Sequence, residues 1–175
     1  MIGIDETLMF QPLKFAVLTI SDTRTLLDDR SGACLSERII EAGNELAVRA
    51  IVKDEAADIS DQIEHWSARV DIDVIITTGG TGLTGRDVTI EAVVPLLDKM
   101  MEGFSVLFHR MSFEKVGLST LQSRACGGVK HGTFIFCLPG STNAVAQVWD
   151  EILRDALDSR YRPSSLVDLI PRLKE

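Results

Sequence analysis

The chain has 175 residues, 45% of them hydrophobic and 25% charged; this length and balance suit one folded domain with a single core and exclude a disordered chain or two full domains. A formal net charge of −8 speaks against wholesale nucleic-acid binding, whose affinity comes largely from Lys and Arg neutralising phosphates. A small anionic ligand stays open if positive groups and backbone N–H donors gather locally.

Residues 1 to about 12 read as a loosely held arm ending at Pro12. From Lys14 the run KFAVLTIS is short, apolar and β-branched, as in a strand buried on both faces. The polar loop SDTRTLLDDRSG follows, with cap-forming Asp and Ser residues. SGACLSERIIEAG then sets Leu35, Ile39 and Ile40 on one helical face, with Gly43 as terminator. ELAVRAIVKD is a second strand ending at Asp54. In EAADISDQIEHWSARV, Ile59, Ile63, Trp66 and Val70 keep the period of an amphipathic helix. DVIITT is a third strand. This alternation predicts βαβ units whose right-handed crossovers make the three strands parallel.

Beyond a glycine-rich loop, residues 89–104 and 105–117 read as mostly helical, with Pro95 and Gly103 as breaks. CGGV and TFIFCL flank Lys130, His131 and Gly132 as a hairpin does. A helix from about Thr142 to Leu157 follows, and SLVDLI is a short last one. Cys34, Cys126 and Cys137 form no CxxC pair, and His65, His109 and His131 are scattered, so packing or surface roles are expected rather than zinc ligation. The odd cysteine count, and an N-terminal stretch with no basic region before an apolar one, point to the reducing cytoplasm. No apolar run approaches the ~20 residues that cross a bilayer, so no membrane partner is expected.

In an open parallel sheet, ligands bind beyond the carboxyl ends of the strands. Those ends carry Ser21 and Asp22, Asp54, the loop Gly79-Gly80-Thr81-Gly82, and Pro139-Gly140-Ser141. The loop glycines serve either a sharp strand-to-helix turn or a cradle of N–H groups for phosphate. Pro139-Gly140-Ser141 is equally readable as a turn with a helix cap. Asp54 and Asp87 could cap the helices after them, yet two carboxylates on a phosphate-binding rim also suit magnesium. The stretch TTGGTGLTGRDVT comes close to a Walker loop, but Arg86 and Asp87 stand where that motif has Lys and a hydroxyl. Arg86 would offset ligand charge. Met100, Met101, Phe104, Val106, Leu107 and Phe108 crowd apolar side chains into one segment, either as core or as a contact between copies.

Taken in order over roughly residues 14–155, TTGGTGLTGRDVTIEAV, RMSFEKVGLSTLQSRACGGV and LPGSTNAV resemble the MoaB/MogA family of molybdenum cofactor biosynthesis proteins, with the second segment inclining to the MoaB branch. The resemblance implies an α/β fold: a single three-layer domain with a mostly parallel mixed sheet and helices on both faces. It implies molybdopterin binding and, in competent members, adenylylation with ATP and Mg2+ to give adenylyl-molybdopterin and pyrophosphate. Asp54 and Asp87 fall at the family's catalytic, metal-holding pair. Gly79, Gly80, Thr81, Gly82, Ser112, Pro139, Gly140 and Ser141 fall at its pterin and phosphate contacts, with Ser21 and Asp22 on the same rim. Ser141 departs from the Asn or Gln that many relatives carry there. The arginine of RDVT, lost in some inactive members, is retained as Arg86. A homotrimer or homohexamer, and docking to other cofactor-assembly proteins, are implied as well. The alternatives are a molybdopterin-binding protein without catalysis and a scaffold.

Overall fold

The computed structural model describes residues 2–173 and Glu175. In chain order its elements are β1 (Gly3–Ile4), β2 (Lys14–Ile20), α1 (Arg30–Glu41), β3 (Glu45–Val52), α2 (Ala56–Ser67), β4 (Val74–Thr78), α3 (Thr89–Val93), β5 (Lys99–Met100), α4 (Glu102–Val116), β6 (Cys126–Lys130), β7 (Thr133–Leu138), α5 (Thr142–Val148), α6 (Arg154–Ala156) and β8 (Tyr161–Arg162). The main sheet has the order β3-β2-β4-β7-β6-β5. Its first four strands are parallel, while β6 and β5 run antiparallel to their neighbours.

Every residue of β4 and β7 is buried, as is all of β2 after Lys14. Covered on both faces, these strands need unbroken apolar runs rather than alternation. The period of two then deals their side chains to two cores. Phe15, Val17, Ile76 and Phe136 meet α1, α4 and α5 on one face. Leu18, Ile20, Ile75 and Ile135 meet α2 and α3 on the other. The result is the expected three-layer α/β domain. Helix α2 illustrates what holds a layer in place: its N-cap Glu55 makes no side-chain cap, whereas Ile59, Ile63 and Trp66 are buried. At ~1.5–3 kcal/mol for each large apolar side chain, burial outweighs a cap worth about 1 kcal/mol.

Three local readings are corrected. The N-terminal arm is tied down: Gly3 and Ile4 pair with Arg162 and Tyr161, the Gln11 N–H donates to Ser159 Oγ at 2.9 Å, and the Arg160 guanidinium lies 5.1 Å from the centre of the Phe10 ring. These partners lie far along the chain, beyond any local pattern. Residues 89–104 are mostly helical, as expected, but a short strand interrupts them. Helix α3 ends at Val93, Pro95 sits in a 3-10 turn, and Lys99–Met100 form an edge strand on β6. Gly128 admits that strand, since a side chain there would strike the Lys99 carbonyl and come within 2.7 Å of Leu97. Gly103 is not a break but lies in the first turn of α4. The expected helix from Thr142 runs through to Ala156, with a π-helical turn over Trp149–Leu153 before α6. The expected hairpin is present, turning through His131 and Gly132, both at positive φ.

Candidate functional site at the carboxyl ends of the parallel strands

Strand β3 lies on one side of β2 and β4 on the other, so the connections diverge between the ends of β2 and β4. A crevice at such a switch point is where open α/β sheets take ligands. A cavity of about 380 Å³ lies there, lined by Ser21, Arg24, Asp29, Ser31, Gly79 and Ser141 among others. A larger hollow of about 460 Å³, lined by Leu107, Arg110, Met111 and Tyr161 among others, shares no lining residue with it and lies off the strand ends.

The glycine loop is built by backbone necessity. Gly79 and Gly80 have φ of 104° and 64°, which L side chains rarely adopt. A Cβ on Gly79 would strike the Ile20 carbonyl, and one on Gly140 would sit 3.2 Å from the Gly79 Cα. The three strand ends are therefore packed backbone to backbone. Thr89 closes the turn, its N–H donating to the Gly80 carbonyl and its hydroxyl to the Gly79 carbonyl, both at 2.9 Å. Thr81 is buried, and the Thr78 hydroxyl donates to the Pro139 carbonyl at 3.0 Å.

Asp54 and Asp87 reach this loop from different strands. Asp54 Oδ1 lies 3.0 Å from where a Cβ on Gly80 would stand, and Asp87 Oδ2 lies 2.7 Å from the same point on Gly82. Neither serves as a helix cap: the N-caps of α2 and α3 are Glu55 and Val88, without side-chain cap bonds. Asp87 instead accepts the Thr84 hydroxyl at 2.6 Å and the Thr84 N–H at 2.9 Å. These bonds, the hydroxyl's first, hold its carboxyl below the usual range. Asp54 moves the opposite way, raised by burial and then by the charge of Asp22. The Asp22 N–H and the Arg86 charge favour its ionised form, but burial and the Asp22 charge outweigh them.

Arg86 spans the rim. It grips Asp22 at 2.8 Å and Glu55 at 3.0 Å, and Asp22 also accepts the Asp54 N–H at 3.2 Å. In this state Arg86 offsets protein carboxylates. Ser21 lines the cavity, and Ser141 is the N-cap of α5, accepting from the Ala144 N–H at 3.1 Å. Ser112 stands apart: it is half-buried in the later part of α4 and lines none of the rim cavity.

The capping Asp expected in the loop before α1 is Asp29; Thr84, Glu55 and Arg124 join the site without having been expected there. Asp29 caps α1 and is locked by the Thr19 hydroxyl at 2.6 Å and Arg49 at 2.8 Å. Burial pushes its carboxyl up, but those bonds outweigh it and leave it below the ordinary range. Thr84 carried a local signal, since Thr-x-x-Asp is the spacing at which a hydroxyl and a carboxylate meet across a turn. Arg124 carried none.

Among the described residues no cluster of three or more His, Cys, Asp or Glu side chains is arranged to hold a metal ion. Two carboxylates are what magnesium takes from a protein when phosphates and water complete its shell. The half-buried Asp54, repelled by Asp22 and Asp87, fits such a cation.

Fold and rim define a molybdopterin-binding type of α/β domain: a family model described as a probable molybdopterin binding domain matches residues 16–159. Molybdenum cofactor biosynthesis protein B of Escherichia coli (strain K12) is 46% identical over 154 residues, 88% of this chain and 91% of that protein. The protein of the same name from Staphylococcus aureus (strain N315) is 46% identical over 149 residues, 83% and 88% of the two chains. A crystal structure of molybdenum cofactor biosynthesis protein B superposes with a TM-score of 0.80 at 41% identity, covering 82% of this chain and 90% of that one. The tungsten cofactor synthesizing protein MoaB from Pyrococcus furiosus superposes at 0.73 with 31% identity, covering 94% and 99%. The chain belongs to the MoaB family of molybdenum cofactor biosynthesis proteins. Among the described residues no helix is long and apolar enough to cross a membrane.

Proposed function

We propose that the chain binds molybdopterin and adenylylates it with magnesium-ATP, releasing pyrophosphate. The observation that carries this reading is the approach of Asp54 and Asp87, from two strands and with neither used as a cap, to one glycine turn at the switch point. A terminal phosphate oxygen of molybdopterin attacks the α-phosphorus of ATP, and the bond to the β-phosphate oxygen breaks as pyrophosphate departs. Both reactants are anions, so the chain's task is positioning and charge. Asp54 and Asp87 would hold magnesium, which supplies neutralisation of the triphosphate when bound. Backbone amides of the Gly79–Gly82 loop orient phosphate, and Ser21 and Ser141 offer hydroxyls to the bound molecule. No side-chain base is required, because the attacking phosphate oxygen is already ionised near neutral pH.

Incubating the chain with molybdopterin, ATP and magnesium tests this directly: adenylyl-molybdopterin forms, whereas a protein that only holds the pterin yields none. Asp87→Asn is expected to keep pterin affinity and lose magnesium-dependent pyrophosphate release by about 10²-fold or more. Turnover at the parent rate in that variant would sink the assignment.

Assembly as a trimer or hexamer, with docking of other cofactor-assembly proteins, belongs to the same proposal. Within the apolar segment near α4, Phe104 and Phe108 are core, whereas Met100, Val106 and Leu107 are 47%, 66% and 50% exposed, which supports a contact between copies. Light scattering that reports a monomer would refute it.

A further inference from the structure

Arg124 precedes β6 on the antiparallel side of the sheet, 43 positions from Thr81. Its Nε donates to the carbonyls of Thr81 and Gly82, both at 3.0 Å. Nη2 reaches the Asp87 carbonyl at 3.3 Å. Nη1 and Nη2 hold the Glu91 carboxylate, Nη2 at 3.1 Å from Oε2. One planar group thus collects carbonyls from both ends of the loop that runs from Thr81 to Asp87.

The consequence follows from peptide geometry. In a trans peptide the C=O of one residue and the N–H of the next point opposite ways. With the Thr81 and Gly82 carbonyls drawn to Arg124, the N–H groups of Gly82 and Leu83 turn to the other side of the loop. The Asp87 carboxylate stands there, and the Gly82 N–H is among the groups that hold its pKa down. Meanwhile every nitrogen of the Arg124 guanidinium is engaged and its side chain is only 27% exposed, so it acts through the loop rather than on a ligand. Lysine, a point charge without a fork, could not gather the same four acceptor groups.

We infer that Arg124 is a positioning residue: by collecting the loop carbonyls on one side it presents the amide face and Asp87 on the other, where a magnesium-bound triphosphate is taken up. This rests on the nucleotide reading above. Glu91 orients the guanidinium, much as outer hydrogen-bond partners orient the groups that hold a metal.

Arg124→Lys keeps the charge and removes the fork. In the ligand-free chain, amide hydrogen exchange at Gly82 is expected to quicken, and affinity for magnesium-ATP by calorimetry is expected to fall ~10–100-fold. In an Asp87→Asn background the same replacement should change that affinity by less than about twofold, because the two act through one device. Unchanged exchange, unchanged affinity, or a full additive loss in the Asp87→Asn background would overturn the inference. A lower melting temperature with parent-like affinity would mark Arg124 as purely structural and overturn it too. If the parent binds magnesium-ATP but forms no adenylylated pterin, the adenylylation reading fails while the binding series still decides the role of Arg124. If the parent binds no magnesium-ATP, both fall.

Discussion

On the α1 face of the rim, the Asp29 side chain is 1% exposed and paired with Arg49 at 2.8 Å, with Thr19, Ser31 and the Gly32 N–H as further donors. On the α2 face, Asp54 is half-buried, has only the Asp22 N–H as a donor among the described residues, and faces the charges of Asp22 and Asp87. The same side chain at one end of one sheet is thus saturated in the first place and left wanting in the second. A saturated carboxylate is finished structure. An unsaturated one among like charges is held there against its own electrostatics, which is the mark of a site awaiting a positive partner.

The comparison can be broken at several strengths. Asp29→Ala removes the cap of α1 and strands Arg49, whose Nε already has no partner among the described residues. It should cost ~3–5 kcal/mol of folding stability by denaturant titration; a loss under about 1 kcal/mol would show that the pair is dispensable. Asp54→Asn should split the two properties, lowering turnover by about 10²-fold while raising the melting temperature through a gain of a few tenths of a kcal/mol, because like-charge repulsion is relieved. Were this variant to melt below the parent, Asp54 would be structural after all.

The smallest effect is the pH response, and its sign differs between the two faces. Asp29 is held below its ordinary value, so its stabilisation is present above the unfolded pKa of about 4 and fades as pH falls through the folded value. Asp54 is raised, so its contribution is complete below the unfolded pKa and is lost as pH rises through the folded one. A melting curve series in mild acid should therefore show the parent losing stability against Asp54→Asn as pH rises from about 4. Parallel pH profiles for the two proteins would contradict the raised carboxyl.

Much of the fold was legible because buried parallel strands advertise themselves as apolar runs, and because strand ends in such a sheet share a rim by topology. By that rule alone Asp54, Asp87 and the glycine loop belong on one rim, where the structure has them. Other features were hidden. Strand β5 is two residues long and exists only through its pairing with Val129 and Gly128. The N-terminal arm owes its order to residues near 160. Ser112, carried over by resemblance, sits on α4 away from the rim cavity.

What the residue order alone determined is everything carried by local chemistry: the hydrophobic periods, the hairpin turn at His131-Gly132, and the glycines whose backbone angles exclude side chains. Only the tertiary structure decided which aspartate is sated and which is not, and which arginine gathers the loop. Hydrogen-bond partners such as Arg49 and Arg124 lie 20 and 43 positions from the groups they serve. Pairing of that kind is a property of distance in space, and no pattern along the chain encodes it.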